Sequence, residues 1–140
     1  MILPDTNVVS EIMRPVPDRG VLRWLDLQPN TSIWTTSITI FEVRYGLCAM
    51  LTGKRRTGMT DYFERWIDGV LQHRIVNFDE SAAQCAAELA AMRQIQGRPG
   101  ELRNTMIAGI VLATHATLAT RKVRHFEEIA ASVVNPWEIE

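Results

Sequence analysis

Met1-Ile2-Leu3-Pro4-Asp5-Thr6-Asn7 decides how the chain is read. Three apolar residues predict a short buried strand, Pro4 marks where its ladder stops, and Asp5 stands where a helix opens. An acid at the carboxyl end of a buried strand lies at the natural ligand-binding edge of an α/β sheet. It is also a good helix N-cap, so Asp5 alone leaves the two roles open.

Working outward, helical signals run from Thr6 to about Met13 and end at Arg14-Pro15-Val16-Pro17. Asp18 is placed to cap a second helix, whose stripe is Val21, Leu22, Trp24, Leu25 and Leu27. Ser32 to Thr36 predicts a strand and Thr39 to about Leu51 a helix, followed from Gly53 by a basic loop. Tyr62, Phe63, Trp66, Ile67 and Val70 mark another amphipathic helix, suited either to a partner or to the core. Arg74 to Phe78 predicts a strand, and Asp79 caps a long helix to about Gln96. After Gly97-Arg98-Pro99-Gly100, Arg103 to His115 predicts an apolar helix in which Gly109 allows close packing. Thr117 to Ala119 and Ser132 to Val134 predict strands on either side of a short helix from Val123 to Ile129. Strands alternating with helices predict a three-layer α/β/α sandwich around a short, mainly parallel sheet, with residues 1–140 as a single domain.

Composition narrows the function. The 140 residues carry 15 Lys and Arg against 16 Asp and Glu, a net charge of −1, so no global field draws the chain to nucleic acid. Local patches remain at Lys54-Arg55-Arg56 and Arg121-Lys122-Val123-Arg124-His125, although short charge runs are usually solvated faces. Cys48 and Cys85 form no paired motif and lie in helical runs, which predicts reduced, buried thiols and favours a cytoplasmic protein. No apolar run is long enough to span a membrane. Asn30-Thr31-Ser32 matches a glycosylation pattern, which has meaning only in a secreted protein.

Glu42 also has two readings. Thr39-Ile40-Phe41-Glu42 fits a capping box, in which case Glu42→Gln costs about 1 kcal/mol and changes no binding. Alternatively, Asp5 and Glu42 each open a helix after a strand, and in a parallel sheet such openings share one edge. Two convergent carboxylates without histidine or cysteine suit a hard ion, Mg²⁺ or Mn²⁺, and phosphodiester hydrolysis is a reaction such a site serves. Phosphate-binding glycine loops and the nucleophile-elbow motif are absent from the sequence. His73, His115 and His125 are scattered singly and read as core or surface residues.

The ordered motifs carry a resemblance. Asp5-Thr6-Asn7-Val8-Val9-Ser10-Glu11 is followed by Ser37-Ile38-Thr39 and Phe41-Glu42-Val43-Arg44-Tyr45-Gly46. Phe78-Asp79-Glu80, Gly97-Arg98-Pro99, Ile107-Ala108, Leu118 to Phe126 and Val134-Asn135-Pro136-Trp137 complete the series. Together they resemble PIN-domain ribonucleases, specifically the VapC/FitB-like toxins of bacterial type II toxin–antitoxin pairs. The resemblance implies a PIN-like sandwich, a homodimer, and Mg²⁺- or Mn²⁺-dependent endonucleolytic cleavage of RNA, with transfer RNA as a family-level target. It also implies a cognate DNA-binding antitoxin that carries the complex to operator DNA. Asp5 and Glu42 match the family's metal-site carboxylates, and Thr6, Asn7 and Thr120 match polar residues lining that site.

Two positions depart from the pattern. Asn104 stands where the family has a third acid; its amide oxygen can ligate a metal but brings no charge, which predicts weak or absent cleavage. A natural variant and an inactivating substitution read alike here. Glu101, one turn earlier, is either a substitute ligand or a solvated surface acid. Lys122 stands where many relatives carry aspartate or asparagine; it opposes a second cation and could instead hold a substrate phosphate. Pro4 replaces the usual apolar residue. These departures give a second reading: a catalytically silent partner that joins an antitoxin on operator DNA.

Overall fold

The structure, a computed structural model, describes residues 1–139. Its elements in order are β1 (Ile2–Pro4), α1 (Thr6–Ile12), α2 (Arg19–Leu27), β2 (Thr35–Thr36), α3 (Ser37–Ala49), α4 (Lys54–Arg65), β3 (Ile75–Val76), α5 (Glu80–Ile95), α6 (Leu102–Thr114), β4 (Thr117–Ala119) and β5 (Ser132–Val134). β1, β4 and β5 form a parallel sheet in the order β1-β4-β5, and β2 pairs parallel with β3. A parallel bridge between Ile2 and Ile33 joins the two, giving the order β3-β2-β1-β4-β5. The strand order reverses at β1, and in such sheets the crevice beyond the strand ends at that point is where ligands bind.

Alternation along β1 divides the core. Ile2 packs with Val8, Val9, Val21, Val43 and Phe63 from α1–α4, whereas Leu3 packs with Leu89, Ile107, Ile110 and Val111 from α5 and α6. This is the α/β/α sandwich with its short parallel sheet. α5 and α6 lie tightly together at Gly109, where a Cβ would stand 2.5 Å from the Ala82 carbonyl oxygen and 2.7 Å from Ala86 Cβ. The small residue is therefore required by close approach.

Asp18 and Asp79 cap α2 and α5 through their side chains, as their positions imply. Several boundaries differ from the sequence expectation. The strand predicted from Ser32 is confined to Thr35–Thr36, because Asn30–Ser32 form a 3-10 turn in which Ser32 Oγ donates to the Pro29 carbonyl at 2.6 Å. Lys54-Arg55-Arg56 begin α4 rather than a loop. The Tyr62–Val70 segment passes from α4 into a π-helical turn, Trp66–Val70. It faces the core through Phe63, Trp66 and Ile67. Only Val123–Phe126 of the predicted short helix is regular, as a 3-10 turn.

Both cysteines are free, but Cys48 is exposed and Cys85 only partly buried, which corrects the expectation of buried thiols. His73, His115 and His125 all lie at the surface. Among the described residues no helix is long and apolar enough to cross a membrane.

Candidate two-carboxylate site

The site grows from the ends of β1 and β4. Asp5 N–H donates to the Ala119 carbonyl at 2.7 Å, which closes the ladder and fixes the residue between the two strands. Asp5 Oδ1 then accepts the Thr6 backbone N–H at 2.8 Å, so the residue is a helix cap as well as a site residue. Its other oxygen, Oδ2, accepts the Thr120 hydroxyl at 2.9 Å and the Asn7 amide at 3.1 Å. Asn7 also donates to Thr120 Oγ1 at 3.1 Å, and its Oδ1 accepts the Arg121 N–H at 3.1 Å. Asp5 and Thr120 are buried. Burial pushes the Asp5 carboxyl above its ordinary range, opposed by the hydrogen bonds from Thr6, Thr120 and Asn7 and by the charge of Lys122.

Glu42 comes to Asp5 through Thr6, whose hydroxyl donates to Glu42 Oε1 at 2.7 Å. The capping-box reading fails here. β2 runs directly into α3, so Thr36 is the N-cap, and its Oγ1 accepts the Thr39 N–H at 3.0 Å. Glu42 therefore lies in the second turn, with its carboxylate free of any capping duty.

Arg103 was not singled out by the sequence. Its Nε lies 3.6 Å from Glu42 Oε2 and 3.2 Å from Glu101 Oε1. The clue was a cation in the first turn of α6, where the helix dipole disfavours positive charge and a nearby acid must compensate. Glu101 is engaged as the N-cap of α6, accepting from the Arg103 and Asn104 N–H groups. Burial acts to raise its carboxyl, but these bonds outweigh it and hold the group below its usual range. That cap role accounts for Glu101 without a ligand role.

Asp5, Thr6, Asn7, Glu42 and Thr120 thus form one hydrogen-bonded set, and Lys122 joins it through its backbone N–H, 3.0 Å from Thr120 Oγ1. Asn104 is different. Among the described residues its side chain makes no hydrogen bond to either acid, and its Nδ2 lies 3.4 Å from His125 Nδ1. It borders a cavity of about 330 Å³ shared with Arg93, Arg98, Arg124 and His125.

The donor set fits a hard divalent ion. Mg²⁺ is commonly held by one or two carboxylates while keeping several waters, and Asp5 and Glu42 offer it carboxylate oxygens, with the Thr6 and Thr120 hydroxyls beside them. Among the described residues no three His, Cys, Asp or Glu side chains stand together, so an ion at this edge would take at most these two carboxylates from the protein.

The chain matches the PIN domain family over residues 2–132. It is 37% identical over 138 residues to the VapC ribonuclease Y4jK of Sinorhizobium fredii, covering 99% of both chains. It is 33% identical over 137 residues to the toxin FitB of Neisseria gonorrhoeae, covering 98% of this chain and 99% of that one. The FitAB structure bound to the IR36 DNA fragment contains a chain that superposes with a TM-score of 0.91 at 33% identity, covering 100% of this chain and 98% of that one. By the family match over residues 2–132 and by relatives of this identity and coverage, the chain belongs to the PIN-domain family, among its VapC/FitB-like members.

Proposed function

We propose that the protein is the toxin of a type II toxin–antitoxin pair, a Mg²⁺- or Mn²⁺-dependent endoribonuclease whose activity is reduced by Asn104. The observation that carries this reading is the Thr6 bridge. It couples the carboxylates of Asp5, at the cap of α1, and Glu42, in the second turn of α3, with Thr6 and Glu42 36 residues apart in sequence. Asp5 and Glu42 are the residues that would hold the ion, and Asn104, whose amide stands beside His125 in the free protein, would have to turn from it to contribute an oxygen. When bound, the ion supplies charge neutralisation at the scissile phosphate and a more acidic water. Thr6 orients Glu42, while Asn7 and Thr120 hold Asp5 in place. Arg103 balances the charge of Glu42 in the free protein.

Relatives named as a VapC ribonuclease and a toxin, and a FitAB complex on DNA, support RNA as substrate and a cognate antitoxin as partner. By the same analogy operator DNA is reached through the antitoxin. A homodimer is supported by apolar surface left open on α3, where Phe41 and Tyr45 stack at 6.1 Å and both are exposed. We place this domain, residues 1–140, in the cytoplasm with transfer RNA as the first substrate to try. The second reading, a catalytically silent partner acting with the antitoxin on DNA, is favoured by Asn104 and Lys122.

Mn²⁺ titration tests the centre itself. Glu42→Gln is expected to lose ion binding by tenfold or more, about 1.4 kcal/mol or greater, while its urea midpoint stays close to that of the parent chain because α3 is capped by Thr36. Unchanged Mn²⁺ affinity in this variant would remove Glu42 from the site.

A further inference from the structure

Lys122 and its neighbours are not absorbed by the two-carboxylate centre. Thr120, Arg121 and Lys122 leave β4 in a turn fixed by three backbone donors. Thr120 N–H reaches the Val134 carbonyl at 2.9 Å, Arg121 N–H reaches Asn7 Oδ1 at 3.1 Å, and Lys122 N–H reaches Thr120 Oγ1 at 3.0 Å. Followed bond by bond, the network runs from Glu42 through Thr6, Asp5 and Thr120 to Lys122. The backbone that bears this lysine is therefore positioned by the same groups that position Asp5.

The next residues extend the positive surface. Arg121 lies over the Trp137 ring at 5.0 Å, and the 3-10 turn presents Arg124 and His125 beside Lys122. Arg121, Lys122, Arg124, His125 and Asn135 border a cavity of about 460 Å³, with Glu138 as the one acid among its lining residues. Three permanent cations facing one carboxylate make this an anion seat, with an ammonium as a point charge and guanidinium groups able to bind phosphate oxygens in pairs. A divalent ion close to that ammonium is repelled, whereas a phosphodiester is attracted to both.

We propose that Lys122 is a positioning residue that seats a phosphodiester of single-stranded RNA beside Asp5, its ammonium taking the place of a second divalent ion, while Arg121 and Arg124 continue the track. The proposal rests on the nuclease reading above and specifies how that site receives its substrate.

The test titrates labelled single-stranded RNA with the full chain and with Lys122→Gln in Ca²⁺ buffer, over a range of salt concentrations, and counts bound Mn²⁺ separately. Removing the cation that neutralises one phosphate of a single strand lowers the salt slope by about 0.7, which near 0.1 M salt is about fivefold in affinity. Lys122→Gln is expected to show both changes, Lys122→Arg to restore them, and the chain to bind one Mn²⁺ where Lys122→Asp binds two. An unchanged salt slope in Lys122→Gln, or two Mn²⁺ ions on the chain itself, overturns the role of the lysine and leaves the nuclease reading standing. A chain that binds neither RNA nor Mn²⁺ overturns both.

Discussion

Thr120 carries the largest share of the site's internal order, and Thr120→Val tests it with little change of shape. The hydroxyl donates to Asp5 Oδ2 at 2.9 Å and accepts from Asn7 Nδ2 at 3.1 Å and from Lys122 N–H at 3.0 Å, all at a fully buried position. Asn7 keeps its bond to Asp5, and Lys122 is exposed and turns to water. The main loss is one hydrogen bond to a carboxylate, about 1.5–3 kcal/mol, with about 1 kcal/mol more for the neutral bond from Asn7. A total of about 2.5–4 kcal/mol, divided by a urea m-value of about 2 kcal/mol/M, lowers the midpoint by roughly 1.3–2 M. Thr120→Ser keeps the hydroxyl and loses one buried methyl, about 0.8 kcal/mol. The valine penalty also shrinks in acid once Asp5 is protonated, because its larger component needs the charge. A valine loss below about 0.5 kcal/mol, or one equal to that of serine, refutes the hub role.

Two further perturbations probe the frame and the charge of the site. Gly109→Ala brings a methyl within 2.5 Å of the Ala82 carbonyl and 2.9 Å of the Ala86 nitrogen, both backbone atoms of α5. It is expected to cost about 1–3 kcal/mol in thermal or urea unfolding; an unchanged midpoint would show that α5 and α6 separate freely. Asp5 has a folded-state pKa raised by burial, so in EDTA the unfolded chain loses this proton first as pH rises. Its contribution to stability is therefore full below the ordinary aspartate value and falls as pH climbs to the raised value. Measured against Asp5→Asn, the parent chain should lose stability across that window and level off above it; a difference that grows in the parent's favour with pH contradicts the burial argument.

Short-range signals made much of the frame legible. The apolar start of β1, the caps Asp18 and Asp79 and the close approach at Gly109 each depend on a few adjacent residues or on one packing requirement. The convergence of Asp5 and Glu42 was readable because a parallel sheet gathers strand-to-helix junctions at one edge. The capping reading of Glu42 stayed open in the sequence because Thr36 and Thr39 are both hydroxyls at suitable spacing, and the choice depends on where β2 stops. Arg103 escaped notice because its pairing with Glu42 needs α6 placed against α3, an arrangement no local pattern encodes. The exposure of Cys48 depends likewise on which face of α3 is left uncovered. Asn104 was identified by its position relative to the family pattern, whereas its approach to His125 follows from the return of the chain after β4.

In the proposed function Asp5 and Glu42 form a metal-dependent nuclease centre held back by the neutral side chain at position 104. The direct measurement compares RNA cleavage by this chain and by Asn104→Asp, each freed of antitoxin, in Mg²⁺ or Mn²⁺ with an EDTA control. The aspartate form is expected to cut, EDTA to stop it, and the parent chain to cut weakly or not at all. Equal cleavage by both would contradict the assigned role of Asn104, and failure of both on a broad RNA pool, with antitoxin and DNA binding intact, would establish the silent-partner reading instead.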